Sequence, residues 1–184
     1  MLPLPALHTA RTVIRLPTDA DVPLLQHYRV DNREHFAPWE PLREESWYDA
    51  DACWRFVATA LTDAREDRAY PLLVLDPEQH EILASITLAN VTRGIFQACH
   101  AGYGTAARWQ GQGIMFEALQ AVLELAFGPL GLHRVMANYQ PYNERSAALL
   151  ERLGFEKEGL ARAYLKINGR WRDHVLTACI NPHG

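Results

Sequence analysis

The residues with the clearest chemical potential are Arg108-Trp109-Gln110-Gly111-Gln112-Gly113, which open an apolar-periodic stretch running to Phe127. A glycine-rich turn that feeds a helix gathers unpaired backbone N–H groups at the positive end of the helix dipole, and the ligand that suits such a point is a phosphate. Spacing narrows the choice. A dinucleotide fingerprint needs a small residue three positions after Gly113, where Phe116 stands, and a Walker A loop needs a Gly-Lys-Ser/Thr triplet that does not follow. What remains is Arg/Gln-x-x-Gly-x-Gly. A tight turn that merely caps a helix is the competing reading of the same residues.

An anion site of this kind needs a strand to deliver the loop and a helix to supply the dipole. Phe96 to Gly104 reads as that strand. Ile114, Ala118, Leu119, Val122, Leu123 and Ala126 form the apolar stripe of the helix, with Glu117, Gln120 and Glu124 outward and Gly128-Pro129 as its stop. Upstream, Thr12 to Leu16 reads as a first strand, and Pro17-Thr18-Asp19 as the turn and cap of a helix carrying Leu24, Leu25 and Tyr28. Trp47 to Arg65 reads as a second helix, with Trp54, Val57, Ala58 and Leu61 at helical spacing. Between the two, Asn32 to Trp47 reads as a packed aromatic loop, because Pro38 and Pro41 forbid a regular helix. Leu72 to Leu75, Ile82 to Val91 and Phe96 to Gly104 make an antiparallel meander. After the central helix come a strand from His133 to Ala137, a helix capped by Asn143 and ended by Gly154, and a further strand from Phe155. A hairpin closes the order, Tyr164 to Ile167 and Arg170 to Ala178 around Asn168-Gly169, two residues that tolerate positive φ. The expected class is α+β, one domain over residues 1–184, with a central, mixed, mostly antiparallel sheet flanked by helices.

Composition excludes several function classes. A formal net charge of −4 argues against direct nucleic-acid binding, which normally requires a basic excess. Cys53, Cys99 and Cys179 are widely spaced and odd in number, so neither a disulfide framework nor a zinc site is expected, and no metal is assigned. Met1-Leu2-Pro3-Leu4-Pro5 lacks the charged start and sustained apolar run of a signal peptide, and no stretch approaches membrane-spanning length. The expected location is the cytoplasm.

The loop pattern resembles the acetyl-CoA pyrophosphate loop of the GNAT superfamily of N-acetyltransferases, and the order of elements is the one that superfamily uses. Asn143-Glu144-Arg145-Ser146, followed by Leu153-Gly154-Phe155-Glu156-Lys157-Glu158-Gly159, is similar to the Asn-x-x-Ser and Gly-Phe-x-x-Glu-Gly pattern of its RimJ/RimL group. Within that group the resemblance is to the RimJ-type, ribosomal-protein-alanine branch. It is carried by Pro38-Trp39-Glu40-Pro41, by Trp109-Gln110-Gly111 with Met115-Phe116-Glu117-Ala118-Leu119, and by Arg170-Trp171-Arg172-Asp173-His174-Val175-Leu176-Thr177-Ala178. It implies a GNAT acyl-CoA N-acyltransferase fold, acetyl-CoA as donor without a metal, and the N-terminal α-amine of a ribosomal protein as acceptor.

The resemblance also assigns roles. Backbone N–H groups of Gln110, Gly111, Gln112, Gly113 and Ile114 would hold the pyrophosphate, with Arg108 adding charge; glycine at 111 and 113 admits the phosphate where a Cβ would interfere. Asn143 and Ser146 would contact the pantetheine arm, Ser146 near the leaving sulfur, although Asn143 can equally be a helix cap. Oxyanion stabilisation would come from N–H groups within Tyr103, Gly104 and Thr105, freed by a bulge that Gly102 and Gly104 permit. The base does not carry over from the resemblance: some members of the group have an acid where Ala163 stands here. Glu40 is the first candidate to hold or deprotonate the amine, ahead of Tyr164, His174 and Glu117, and a solvated loop carboxylate is its competing reading. Glu40, Glu44, Glu45 and Asp49 form an acidic cluster suited to a basic protein tail or simply to solvent. Two rivals stand beside N-terminal acetylation: acetylation of a small amine such as a polyamine, amino acid or antibiotic, and acyl-CoA binding without turnover.

Overall fold

Two short strands, β1 (Leu7–His8) and β2 (Val13–Arg15), lead into a helical turn at Asp19–Asp21 and the helix α1 (Val22–Asp31) in the computed structural model, which describes residues 4–182. Met1 to Pro3, the head of the segment read above for a signal peptide, lie outside the described residues. The expected loop after Asn32 holds one helical turn, α2 (Arg33–Phe36), before the chain reaches Pro38. Proline forbids its own residue and its predecessor from continuing a helix, not the residues further upstream. The next long helix, α3 (Ala50–Arg65), begins three residues later than the sequence predicts, because Glu45–Tyr48 forms a separate helical turn and Asp49 takes an extended conformation.

The meander follows as β3 (Tyr70–Leu75), β4 (Ile82–Thr92) and β5 (Ala98–Thr105), all antiparallel. The chain then passes through the glycine loop into α4 (Ile114–Phe127), returns as β6 (Arg134–Tyr139), crosses α5 (Glu144–Arg152), and ends in the hairpin β7 (Glu156–Ile167) and β8 (Arg170–Ile180). The spatial order is β1-β2-β3-β4-β5-β6-β8-β7, and every pair is antiparallel except β5–β6, the pair joined by the α4 crossover. The two strands expected from Phe155 and from Tyr164 are one, β7. It is interrupted between Ala161 and Leu165, where the register with β8 slips and Ala163 takes φ +49°. The slip breaks the alternation by which a single strand would be recognised. The turn at Asn168 (φ +45°) and Gly169 (φ +76°) is the primed type expected.

Alternation along the strands sorts side chains onto two faces. Leu73, Leu75 and Ile82 meet Val22, Leu25, Tyr28, Cys53 and Val57 from α1 and α3. Leu72, Val74, Ala84 and Ile86 meet Ile114, Ala118, Leu119, Val122 and Ala126 from α4 on the other side. The α4 stripe is buried as its spacing predicts. In α3 the buried face is Ala52, Cys53, Val57, Ala60 and Ala64, so Trp54 stands outside it and is 47% exposed. Small residues, rather than the aromatic, allow this helix to lie close on the sheet.

A buried ion pair fixes the entry to α1. Asp21, nearly inaccessible, accepts from Arg15 NH1 and NH2 at 2.6 and 2.8 Å and from Thr18 N and Oγ1 at 2.7 and 2.8 Å. Burial alone would push this carboxyl up, but the Arg15 and Thr18 hydrogen bonds outweigh it and hold it below the ordinary carboxylate value. Its stabilisation is therefore present above the unfolded-state pKa of about 3.9 and is lost as pH falls through the lower folded-state value. Asp21→Asn should cost about 3 kcal/mol in urea denaturation at pH 7, and the deficit should shrink as the pH is taken below about 4. A deficit independent of pH would contradict this account of the pair.

Candidate active site

β5 is paired with β4 without interruption from Ala84–Thr105 to Ala89–His100. On its other side it pairs with β6 only at Ala98–Arg134, Cys99–Val135 and His100–Met136. Past that point β6 continues beside β8 to Tyr139–Val175, and the two parallel strands part. Backbone groups alternate sides along a strand, and Ala106 N donates to Leu83 O at 2.9 Å on the β4 side. The amides of Tyr103 and Thr105 therefore face the opening. No bulge occurs at Gly102–Gly104; divergence of the neighbour, not an extra residue, is what leaves these amides unpaired. Gly104 has another use, since a Cβ there would lie 3.2 Å from Phe36 Cε1, so its absence lets α2 rest on the end of β5.

The glycine loop stands at the C-terminal end of the same strand. Gly111 and Gly113 have φ of +73° and +78°, the left-handed region that favours glycine. The Gln110 N–H, expected among the donors, instead closes a helical turn on Ala107 O at 3.3 Å; among the described residues, those of Gly111, Gln112, Gly113 and Ile114 donate to no backbone acceptor, and nothing lies within 4 Å of the space a Cβ on Gly111 would fill. An open cradle of donors at the start of α4 has the shape and charge that a diphosphate requires.

Groups distant in sequence hold the cradle. Glu117, in the first turn of α4, accepts from the backbone N of Arg11 at 2.9 Å and from its Nε at 2.8 Å, and Arg11 NH1 donates to Gln112 O at 2.8 Å. Burial pushes Glu117 up, but Thr9 and Arg11 more than offset it and keep the carboxylate below its ordinary value. Gln112 Nε2 donates to Arg108 O at 2.9 Å. Arg108 itself lies 3.3 Å from Glu81, which also accepts from Trp109 Nε1 at 2.8 Å. The charge assigned to Arg108 is thus engaged by a carboxylate. The cations bonded to the loop are Arg11 and Arg145; the latter donates to Gln110 Oε1, while Gln110 Nε2 lies 3.0 Å from His35 Nε2. Neither arginine carries a local signal, because each acts across the fold.

Asn143 caps α5: its Oδ1 accepts from Ser146 N at 3.1 Å. Ser146 Oγ is 2.6 Å from Tyr103 OH, so the two hydroxyls form a pair between α5 and the open end of β5. Burial pushes the Tyr103 phenol up to about 12, against a smaller pull from Ser146. Both hydroxyls are neutral donors at physiological pH.

The Pro38-Trp39-Glu40-Pro41 loop is tied on two sides. Gln140 Nε2 donates to Pro38 O at 3.2 Å, the Trp39 and Tyr142 rings are 5.8 Å apart, and Asn168 N donates to Glu40 O at 2.9 Å. It spans from the β6–α5 connection to the tip of the β7–β8 hairpin. The Glu40 carboxylate is 40% exposed and 3.4 Å from Arg43, and Glu45 pairs with Arg33 at 2.7 Å, so part of the acidic cluster is neutralised internally. At the interruption of β7, Ala163 N donates to Asp173 Oδ1 at 2.8 Å, and the Tyr164 ring lies 5.8 Å from that of His174. His174 is buried with Nδ1 3.1 Å from Arg172 O. Sequence inspection missed His100. Its neighbours Cys99 and Ala101 belong to the α4-side core, so it lies on the opposite face with Gly102 and Gly104. Its Nδ1 is buried with no hydrogen-bond partner among the described residues, and burial lowers its pKa.

A carboxylate at position 111 would find open space, at a backbone cost of about 1–2 kcal/mol for a side chain in the left-handed region, and would place negative charge inside the donor cradle. Gly111→Asp should preserve the far-ultraviolet spectrum and weaken acetyl-CoA binding by about a hundredfold, the equivalent of about 2.7 kcal/mol. Unchanged affinity by calorimetry would remove the loop from acetyl-CoA recognition.

Residues 11–156 match the model of the acetyltransferase (GNAT) domain. The chain is 43% identical over 182 residues to the [ribosomal protein uS5]-alanine N-acetyltransferase of Escherichia coli (strain K12), covering 98% of this chain and 93% of that protein. Among solved structures, the ribosomal-protein-S5-alanine acetyltransferase of Vibrio fischeri superposes with a TM-score of 0.91 at 36% identity, covering 96% of this chain and 97% of the other. Mycobacterium smegmatis RimJ in complex with CoA-disulfide superposes with a TM-score of 0.88 at 29% identity, covering 94% and 83%. The divergent strand pair, the braced glycine loop and these similarities lead to one assignment: the chain is an acetyltransferase and belongs to the GNAT family.

Proposed function

We propose that this enzyme transfers the acetyl group of acetyl-CoA to the α-amine of a ribosomal protein, one with an N-terminal alanine, by direct attack in the cytoplasm, and that residues 1–184 act as a single domain. The near full-length similarity to a [ribosomal protein uS5]-alanine N-acetyltransferase supports the acceptor. The observation that carries the chemistry is the convergence of two sets of unpaired amides: Tyr103 and Thr105 at the opening of the sheet, and Gly111 to Ile114 at the head of α4.

When bound, acetyl-CoA supplies the activated acyl group. The loop amides, braced by Arg11 and Glu117, hold the diphosphate end. The N–H groups of Tyr103 and Thr105 donate toward the carbonyl oxygen on which negative charge develops, a position where fixed donors are worth more than solvent. Ser146 Oγ–H donates toward the departing sulfur, and Tyr103, still protonated well above neutral pH, donates in turn to Ser146. An α-amine, with a pKa of about 7.7–8.0, is partly neutral already and needs only a modest acceptor for its proton. Glu40 takes that role from the loop that spans the opening. His100, with its buried unpartnered nitrogen and lowered pKa, is the second candidate.

Mass spectrometry of a ribosomal-protein mixture incubated with enzyme and acetyl-CoA tests the acceptor directly. A mass gain of one acetyl group on an N-terminal alanine is expected. Acetylation of polyamines or free amino acids with untouched protein N termini would transfer the assignment to a small-amine enzyme. Glu40→Gln should lower kcat about a hundredfold, the lower end of the range for general base catalysis, while leaving acetyl-CoA affinity unchanged. Wild-type turnover in that variant combined with a loss in His100→Ala would move the role to His100.

A further inference from the structure

Arg29 on α1 carries a full positive charge into the interior and is only 6% exposed. Its NH1 donates to Trp47 O at 3.1 Å and lies 3.5 Å from Cys53 Sγ, and its guanidinium carbon stands 3.8 Å from the centroid of Trp47 and 5.0 Å from that of Phe56. Among the described residues no carboxylate pairs with it, and its Nε and NH2 have no hydrogen-bond acceptor. The neighbouring arginines differ: Arg33 pairs with Glu45 and Arg43 with Glu40. Burial lowers the pKa of Arg29, and the opposing pull of Cys53 and Glu40 does not offset it. Buried charges are ordinarily paired, and an uncompensated one is costly.

The guanidinium borders a cavity of about 170 Å³, which Ser85 and Thr87 of β4 also line. That is room for a carboxylate and a few waters, each of which occupies about 30 Å³. Arg33, Glu40 and Arg43 line the same cavity and are partly exposed, so they form its mouth while Arg29 lies deeper. Glu45 offsets Arg33, and Glu40 faces both Arg43 and Arg29, so three guanidinium groups stand against two carboxylates and the cavity keeps a net positive charge. The cavity also abuts the end of β5. Tyr28, in its wall, donates to Gly104 O at 3.0 Å, and Phe36, also in its wall, is the ring that excludes a Cβ at Gly104. A peptide advances about 3.3–3.6 Å per extended residue, so the residues next to an amine placed at the opening of the sheet can reach this space.

From this geometry we infer that the cavity is a carboxylate-binding subsite for the acceptor, in which Arg29 grips an acidic side chain among the first few residues of the peptide; the inference rests on the proposed N-terminal acetylation. A planar guanidinium with two free donor nitrogens matches a carboxylate, and the pairing supplies the charge that the fold leaves out. A basic acceptor segment would be repelled from the same position.

The test compares alanine-initiated peptides carrying Glu or Gln at positions 2 to 5, by kcat/KM. At one position the wild-type enzyme should prefer Glu by about ten- to a hundredfold, the range of a charge-assisted hydrogen bond. Arg29→Met should bring that ratio close to unity, and Arg29→Lys should restore part of it. A merely structural Arg29 would lower both peptides alike and leave the ratio intact, which would overturn the proposal; so would equal use of Glu and Gln at every position by the wild type. If Arg29→Met fails to fold, the ratio in Arg29→Lys decides. Should no peptide be acetylated although a small amine is, the N-terminal assignment falls and calorimetry with glutarate judges the subsite separately. Saturable binding weakened at least tenfold by Arg29→Lys would then uphold it, and absence of binding to the wild type would end it.

Discussion

The site depends on a missing neighbour. After His100–Met136 the parallel pair β5–β6 comes apart, and β5 continues with one edge bonded to β4 and the other facing open space. Backbone amides are obligatory donors, and a buried one without an acceptor is costly, so a strand that loses its partner must find another. The fold places the head of α4 at the end of that same strand, where a second group of amides is released by the geometry of helix initiation. Both sets arise from one topological fact: β5, the glycine loop, α4 and β6 form a crossover, and crossovers join strands that are free to diverge at the end where the helix starts.

Holding this arrangement open requires rigidity supplied from elsewhere. Arg11 lies between β1 and β2, yet its backbone and side chain lock Glu117 and Gln112, so the loop is fastened to the β1–β2 edge of the sheet. Glu81 restrains Arg108 and Trp109 from the start of β4, and Gln110 is held through its side chain by Arg145 and His35. The loop amides can therefore stay aimed without being satisfied by protein. On the acceptor side, a short loop fastened at Gln140 and Asn168 spans the opening, and the cavity under α1 and α2 sets a lone buried cation beside it. In the proposed reading, donor and acceptor binding use opposite physical means, backbone dipoles for the first and side-chain charge for the second.

What could be read from the sequence follows from the range of the interactions involved. The α4 stripe, its stop at Gly128, the Asn143 cap and the Asn168-Gly169 turn are set by residues a few positions apart, and each is where spacing places it. The glycine loop was legible for the same reason, since only left-handed backbone at 111 and 113 demands glycine there. The divergence of β5 from β6 was not, because it depends on where a distant strand changes partner; the glycines at 102 and 104 looked like the cause and one of them instead makes room for Phe36. Trp54 misled through its size: the buried face of α3 is built from alanines, cysteine and valine. Arg11, Arg29 and Arg145 are unremarkable in sequence and acquire their roles from partners brought near by folding.

The central claim is that amides left unpaired by strand divergence and by helix initiation are the ones that receive acetyl-CoA. Amide-resolved nuclear magnetic resonance of the protein titrated with CoA measures this most directly. The amide protons of Tyr103, Thr105, Gly111, Gly113 and Ile114 should shift downfield together and gain protection from exchange, while those of α3 stay in place. Large shifts elsewhere with these five unmoved would contradict the account.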